Sequence, residues 1–231
     1  MNATIATIGA AWVNRDSCGA TGVAESRDYP VSGVELLSGR KELVAGPIKN
    51  FGRFPRCVKD ICAACALALR AAGIVPGSGR ANRTGILAAG FDEVMAVNKE
   101  YFTDYVAGGR VMGRGNLFIY TTPSSLLAEA SILLGLAGPM ASVEADAAPC
   151  AELLRSAAET IRGGQAEAVA CLWQDSETTL CLLAGPRPEA QGIIELDDAI
   201  RSAATWRVPA DGVCYVKSAY KNANNSREHR A

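Results

Sequence analysis

The sequence is poor in histidine and in net charge. Its one histidine, His229, lies in the polar stretch 222–231, where a side chain is typically solvated and rarely catalytic. Basic and acidic residues nearly balance, at 23 and 24, so the formal net charge is -1. This balance gives no electrostatic reason to expect nucleic acid or an anionic membrane surface as a partner.

Long apolar runs are also missing. The sequence has no stretch of the roughly 18 consecutive apolar residues that a membrane span needs. Its first residues, MNATIATIGAAWVN, lack the basic start of a signal peptide. We therefore expect a cytoplasmic protein with no membrane partner, in which the 8 cysteines are reduced thiols.

Three cysteines have a spacing that some iron–sulfur proteins share. Cys57, Cys62 and Cys65 form C-x4-C-x2-C. The segment around Cys62 and Cys65 is rich in alanine and leucine and has no glycine or proline, which predicts a helix instead of a cluster-binding loop. We interpret these cysteines as small packing residues. The sequence thus predicts no metal and no cofactor.

Strand and helix patterns alternate along much of the chain. Strands are predicted at 3–13, 84–90, 142–145, 166–173 and 178–184. Helices are predicted at 55–73, 93–107, 123–136 and 147–163, the last with Asp146 as its N-cap. Residues 14–53 are expected to form loops with short helices. Beyond 185 the pattern weakens, and it predicts a strand passing into a helix at 193–204 and a short strand at 213–216. The alternation indicates an α/β domain.

Between Arg83 and Gly185 the order of elements and several phrases resemble the N-terminal half of β-ketoacyl synthases. R-T-G-I-L-A-A-G at 83–90 is similar to the second strand of that family. The helix that opens at Thr122 leads to G-L-A-G-P at 135–139, which is similar to the phrase ahead of the family's nucleophile strand. The resemblance implies an α/β, thiolase-like half, with a mixed five-stranded sheet and helices on both faces. It implies a single domain over 1–231, with 186–231 a less regular C-terminal extension.

The chemistry of that family needs a cysteine at a strand-to-helix turn. There the helix N-terminus lowers the thiol pKa, and backbone N–H groups face a developing oxyanion. Counted from Gly138-Pro139, the resemblance places the nucleophile at Ala147, and alanine cannot form an acyl-enzyme. Cys150 is either a displaced nucleophile or a residue packed beside Leu153. The resemblance also implies two histidines from a second half, which this sequence does not contain. We therefore expect no condensation by this chain on its own.

The leading hypothesis is a non-catalytic subunit resembling the chain-length factors of fatty-acid or polyketide and polyene assembly. It would form a homodimer, or a heterodimer with a ketosynthase-like subunit, through the strand at 142–145. The candidate substrate-tunnel or interface residues are Ser142, Val143, Glu144, Phe102, Met112, Phe118 and Met140, with Met95 and Tyr105 as further candidates. An ordinary core position is the alternative for the aromatic residues and the methionines in this set.

Two other hypotheses stay open. One is an enzyme of acyltransferase or condensing type that handles acyl thioesters through Cys150. The other is a module that binds an acyl carrier protein, an acidic partner, through the basic residues between Arg40 and Lys59. A solvated surface is the alternative interpretation of those basic residues.

Overall fold

The computed structural model describes residues 4–39, 41–46, 51–111, 113–144, 148–186, 194–207 and 210–218. Its strands are β1 (Ile5–Asn14), β2 (Cys18–Gly22), β3 (Ser26–Tyr29), β4 (Thr84–Phe91), β5 (Met140–Ser142), β6 (Ala168–Gln174), β7 (Thr178–Pro186) and β8 (Ile194–Glu195). Its α-helices are α1 (Gly33–Gly39), α2 (Arg56–Ala71), α3 (Gly79–Asn82), α4 (Asp92–Ala107), α5 (Gly115–Phe118), α6 (Pro123–Leu134), α7 (Pro149–Arg162) and α8 (Leu196–Ala203). Residues 210–218 are also helical, and short 3₁₀ turns lie at Lys41–Leu43, Phe51–Arg53 and Ile119–Thr121.

The strands form one sheet in the order β3-β2-β1-β7-β6-β4-β5, with β8 paired to β1. β4 is parallel to both β5 and β6. β7 runs antiparallel to its neighbours β6 and β1. Strands β1, β4, β5 and β6 therefore point the same way and end at one edge, called here the carboxyl edge. The prediction of a mixed sheet with helices on both faces is confirmed.

The predicted number of strands is wrong, because the described residues form a sheet of 8 strands and not five. The five implied by the resemblance are β1 and β4 to β7, and the others are β2, β3 and β8. β2 has the sequence CGATG, and β3 exposes three of its four side chains. Neither strand shows the apolar alternation by which a strand is recognised. Both are held by antiparallel pairing that starts from β1.

One face of the sheet, called here the outer face, is covered by α2 and α6. The opposite face is called the inner face. The backbone of α2 packs directly against the backbone of the sheet, because glycines in β1 and β2 have no side chain to keep them apart. A Cβ atom on Gly9 would lie 2.4 Å from the carbonyl oxygen of Ala68, and one on Gly22 would lie 2.5 Å from that of Ala71. The predicted helix and the packing interpretation of its cysteines are confirmed, since α2 buries Cys57, Cys62 and Cys65.

The inner face of the sheet is covered by α7, α8 and the helical residues 210–218. The prediction of a strand at 213–216 is therefore wrong. A four-residue apolar run looks the same in a strand and in a short buried helix, so its pattern could not decide between them. The prediction of a strand passing into a helix at 193–204 is confirmed by β8 and α8.

No single helix among the described residues is both long and apolar enough to cross a membrane. The consecutive helical segments Gly115–Thr121 and Pro123–Leu134 meet the requirements of length and composition only when taken together, and they are bent by 100°.

Candidate functional site

Two glycines set the path by which the chain enters β5. A Cβ atom on Gly138 would lie 2.6 Å from the amide nitrogen of Gly85, and one on Gly85 would lie 2.9 Å from the carbonyl oxygen of Pro139. The loop therefore crosses the start of β4 at backbone contact. The Ile86 amide then donates to the Pro139 carbonyl at 2.8 Å. This crossing is the physical reason for glycine in both the R-T-G and the G-L-A-G-P phrases.

β5 lies at the end of the described sheet and leads to the turn before α7. It spans Met140–Ser142, two residues earlier than its predicted start, and its three side chains are exposed. The Val143 amide still donates to the Ala88 carbonyl at 2.8 Å, and the Val143 side chain is half-buried against the inner face. Glu144 is exposed. Ala147, the implied nucleophile position, lies outside the described residues.

The turn into α7 has a strained N-cap. Ala148 occupies this position with φ 49° and ψ 52°, in the left-handed region. That conformation costs a residue with a Cβ atom about 1 kcal/mol. The N-cap is Ala148 and not the predicted Asp146, which itself lies outside the described residues, and Ala148 caps the helix with no side-chain hydrogen bond. Pro149 suits the first helical position, because the missing N–H of proline has no helical partner in any case.

Cys150 is the second residue of α7, and its side chain is fully buried on the inner face. It belongs to the same apolar cluster as Leu153, Leu154 and Ala157. Burial raises the pKa of the Cys150 thiol to about 12, although its own backbone N–H acts in the opposite direction. Thiolate is the nucleophilic form of cysteine. Near neutral pH the Cys150 side chain is therefore a neutral, enclosed thiol.

α7 carries its polar side chains on the opposite side from Cys150. A charged stripe forms the solvent side of the helix, with Arg155, Glu159 and Arg162 exposed and Glu152 half-buried. Arg155 pairs with Glu152 at 3.0 Å. The buried cysteine and the charged stripe are the two sides of one amphipathic helix.

Trp173 is a residue of this region that sequence reasoning missed. It ends the inner-face side of β6 at the carboxyl edge, in register with Ala89 of β4 and Leu180 of β7. Its side chain is 1% exposed, within the cluster that includes Cys150. A buried aromatic residue on a strand looks like ordinary core. The sequence therefore held no signal that this one fills the inner face beside the start of α7.

A second region carries the other candidates, on α4, α5 and β5. Phe102 is 62% exposed, Phe118 59% and Met140 42%. The alternative that they are core residues is wrong, and it is wrong for Met95 as well, whose exposed fraction is 69%. Tyr105 is half-buried. Met112 lies outside the described residues.

Ring contacts and ion pairs join α4 to α5 beneath their exposed apolar side chains. The Phe118 ring lies 5.5 Å from the Tyr101 ring. Arg114 pairs with Glu100 and with Asp104, each at 3.1 Å. These contacts hold α5 against α4 and leave Phe102 and Phe118 facing solvent.

The basic residues between Arg40 and Lys59, ahead of α2 and in its first turn, are partly described. Arg53 and Arg56 are exposed, and Arg56 pairs with Asp60 at 3.2 Å. Lys59 lies with its Nζ 5.3 Å from the centre of the Phe51 ring. Arg40 and Lys49 lie outside the described residues. Within the described part of the chain, no group of three or more histidine, cysteine, aspartate or glutamate side chains is placed to hold a metal ion.

Comparisons with known proteins bear on the fold. No family model and no curated protein sequence matches the chain. The ishigamide ketosynthase/chain length factor is similar in structure, with a TM-score of 0.54 and 13% identity over 81% of this chain and 63% of that one. A type II polyketide synthase acyl-carrier protein in complex with its ketosynthase gives 0.56 and 14%, over 81% and 64%. A β-ketoacyl synthase from Burkholderia phymatum STM815 gives 0.53 and 14%, over 80% and 59%.

The chain thus spans between 59% and 64% of the length of these three structures. At 13–14% identity the likeness concerns the fold. The fold is the thiolase-like fold of the β-ketoacyl synthases, as the resemblance implied.

Proposed function

We propose that this chain is a non-catalytic, ketosynthase-like subunit of the chain-length-factor type, which acts in fatty-acid or polyketide assembly by pairing with an active synthase. One observation carries the proposal: Cys150, the sulfur nearest to the start of α7, is fully buried and has its pKa raised to about 12. The implied nucleophile position, Ala147, has no sulfur. A covalent acyl-enzyme needs an accessible thiolate.

The pairing surface that we propose combines the free edge of β5 with the exposed apolar residues of α4 and α5. An unpaired edge strand is a template for a strand of another chain. In a parallel pair, backbone groups alternate between the two sides of a strand. Pro139 and Val143 use theirs towards β4. The backbone groups of Met140 and Ser142 therefore point to the free edge.

Neighbour structures support a partner of the same fold. One of them is a ketosynthase/chain length factor, and another is an acyl-carrier protein in complex with its ketosynthase. We propose a heterodimer with a ketosynthase-like chain as the working form, with a homodimer as the alternative outcome. We further propose that residues 1–231 form one domain.

The test is co-purification of this chain with the β-ketoacyl synthase encoded nearest to it. The synthase carries the affinity tag. Ser142→Pro removes a backbone N–H from the free edge and leaves the bonds to β4 in place. Ser142→Ala is the matched control, because it changes only an exposed side chain. We expect the native chain and the Ser142→Ala variant to elute with the synthase. The Ser142→Pro variant should not bind the synthase and should be absent from the eluate. Equal recovery of both variants would rule out pairing through β5.

Binding of an acyl carrier protein is a second candidate, favoured by the exposed Arg53 and Arg56. An acidic carrier held by these side chains should bind less tightly as salt rises, because screening acts on exposed charges. The double variant Arg53→Glu/Arg56→Glu should then abolish carrier binding at low salt. An affinity for the carrier protein that changes neither with salt nor with the two substitutions would count against this site.

A further inference from the structure

The inner face of the sheet carries a row of large side chains at its carboxyl edge. Leu180 of β7 is in register with Trp12 of β1 on one side and Trp173 of β6 on the other. All three belong to one apolar cluster and are at most 5% exposed. By the resemblance, this is the face on which a second half would stack.

α7 covers only one side of this face. It packs against β4, β6 and β7, and the β1 side is covered by the C-terminal strap, the name used here for residues 194–207 and 210–218, whose helix α8 also packs against α7. α8 buries Leu196, Ala199 and Ala203 there, with Asp197, Asp198 and Arg201 exposed on its other side. The strap is thus amphipathic, with its apolar side on the sheet.

The helical residues 210–218 fit closely over the row of large side chains. A Cβ atom on Gly212 would lie 2.4 Å from Cδ2 of Leu180. Val216 is 0% exposed. Lys217 places its Nζ 4.4 Å from the centre of the Trp12 ring, an arrangement that attracts a cation to the ring face. This part of the strap is shaped to the sheet beneath it.

The backbone attachment of the strap to the sheet is slight. β8 pairs with β1 at two positions, Ala6↔Glu195 and Thr7↔Ile194. By contrast, β7 pairs with β1 from Ile5 to Asn14. Proteins open locally in cooperative units, and a unit that shares few backbone hydrogen bonds with the sheet can open before the rest of the domain unfolds. The strap therefore combines close side-chain fit with weak backbone anchoring.

We infer that the C-terminal strap is a built-in cover of the inner face, which occupies the layer where the resemblance puts a second half and opens as a unit separate from the sheet. With the strap closed, the inner face offers no surface to a partner. Pairing with other chains is thereby confined to surfaces such as α4, α5 and β5. This inference goes beyond the proposed function and does not depend on it.

The chain supplies its own probe of strap opening. Its 3 tryptophans all belong to the inner-face cluster, with Trp12 and Trp173 on the sheet and Trp206 in the strap. Tryptophan emission therefore reports the opening of the strap. Maleimide labelling of Cys62 and Cys65, which are buried on the outer face, reports unfolding of the sheet and α2.

In a urea titration of the full chain, we expect the tryptophan transition to come first and the thiol labelling transition to follow at higher urea. Val216→Ala should lower the midpoint of the first transition by about 1 M, since it removes two buried methyl groups, and leave the second in place. Val75→Ala is the matched control, because Val75 is 67% exposed, and it should move neither transition. Coincident transitions in the native chain would overturn the inference. So would a Val216→Ala variant that shifts both transitions together, or neither.

Discussion

α2 and α4 are both 16-residue helices, and they differ in almost everything that decides how a helix is used. α2 buries most of its length, from Cys57 to Ala71, against the outer face of the sheet. Of the described side chains of α4, only Val94 and Val97 are buried, while Met95, Phe102 and Val106 are exposed. α2 therefore uses its apolar residues to form the core, whereas α4 leaves several of its large apolar residues exposed.

The difference follows from side-chain size. α2 presents alanines and cysteines, so its backbone can approach the glycines of β1 and β2 closely. α4 presents large apolar residues at 95, 102 and 106, a spacing that keeps them on one side of a helix. A monomer gains nothing by exposing such a stripe. α2 serves the core of this chain, and the exposed stripe of α4 is the part that a partner would bury.

The most severe change that we predict is at the contact of α2 with the sheet. Gly9→Ala would place a Cβ atom 2.4 Å from the Ala68 carbonyl oxygen, a backbone atom that cannot move alone. We expect the free energy of unfolding to fall by about 3 kcal/mol, as overpacking of a tight interior does. Urea unfolding followed by circular dichroism measures it. Gly39→Ala is the control, because nothing lies within 4 Å of a Cβ atom at Gly39. A loss at Gly9 no larger than at Gly39 would mean that α2 does not pack in this way.

The elements that the sequence predicted well are those with clear periodicity and punctuation. α2 was expected at 55–73 and spans Arg56–Ala71, with Gly73 in the left-handed conformation just beyond it. α4 and α6 begin within one residue of their predicted starts. β2 and β3 could not be predicted, because their sequences lack a period and their strand geometry comes from pairing with β1.

A smaller effect is expected from alkaline pH, again through α2. Burial raises the pKa of Cys62, and a hydrogen bond to Cys181, followed by burial, raises that of Cys65. Both thiols stay neutral in the folded chain, whereas in the unfolded chain they ionise above pH about 8.5. Their stabilising contribution is therefore complete below that pH and is lost as pH rises above it, at up to about 1.4 kcal/mol per pH unit for each thiol.

Urea unfolding at several pH values between 7 and 10 checks this slope. The double variant Cys62→Ala/Cys65→Ala should show a shallower alkaline loss of stability than the native chain. Cys214→Ala should not, because Cys214 is exposed. An unchanged slope in the double variant would contradict the burial of these two thiols.

The mildest substitution concerns α4. Phe102→Ser should change the free energy of unfolding by no more than about 0.5 kcal/mol, since the side chain is 62% exposed. Its affinity for a synthase partner should fall about thirtyfold, the effect of losing an aromatic anchor worth about 2 kcal/mol. Thr103→Ala, an exposed neighbour on the same helix, should leave the affinity unchanged. Surface plasmon resonance with both variants decides whether α4 is a partner surface.

The site itself was only partly readable from the sequence. The G-L-A-G-P phrase correctly marked the link from α6 to β5, whereas the backbone contact of Gly138 with Gly85 is visible only in the structure. The strained N-cap at Ala148 could not be foreseen, since alanine carries no preference for the left-handed region. Nor could the placement of Trp173, because its role depends on which strands are neighbours in the sheet.

The central claim is that no sulfur at the start of α7 accepts an acyl group. Intact-mass spectrometry after incubation with an acyl-CoA tests it directly, with an active β-ketoacyl synthase in the same tube as the positive control. We predict an acyl adduct on the synthase and none on this chain. A stoichiometric adduct on this chain that disappears in Cys150→Ser would contradict the claim.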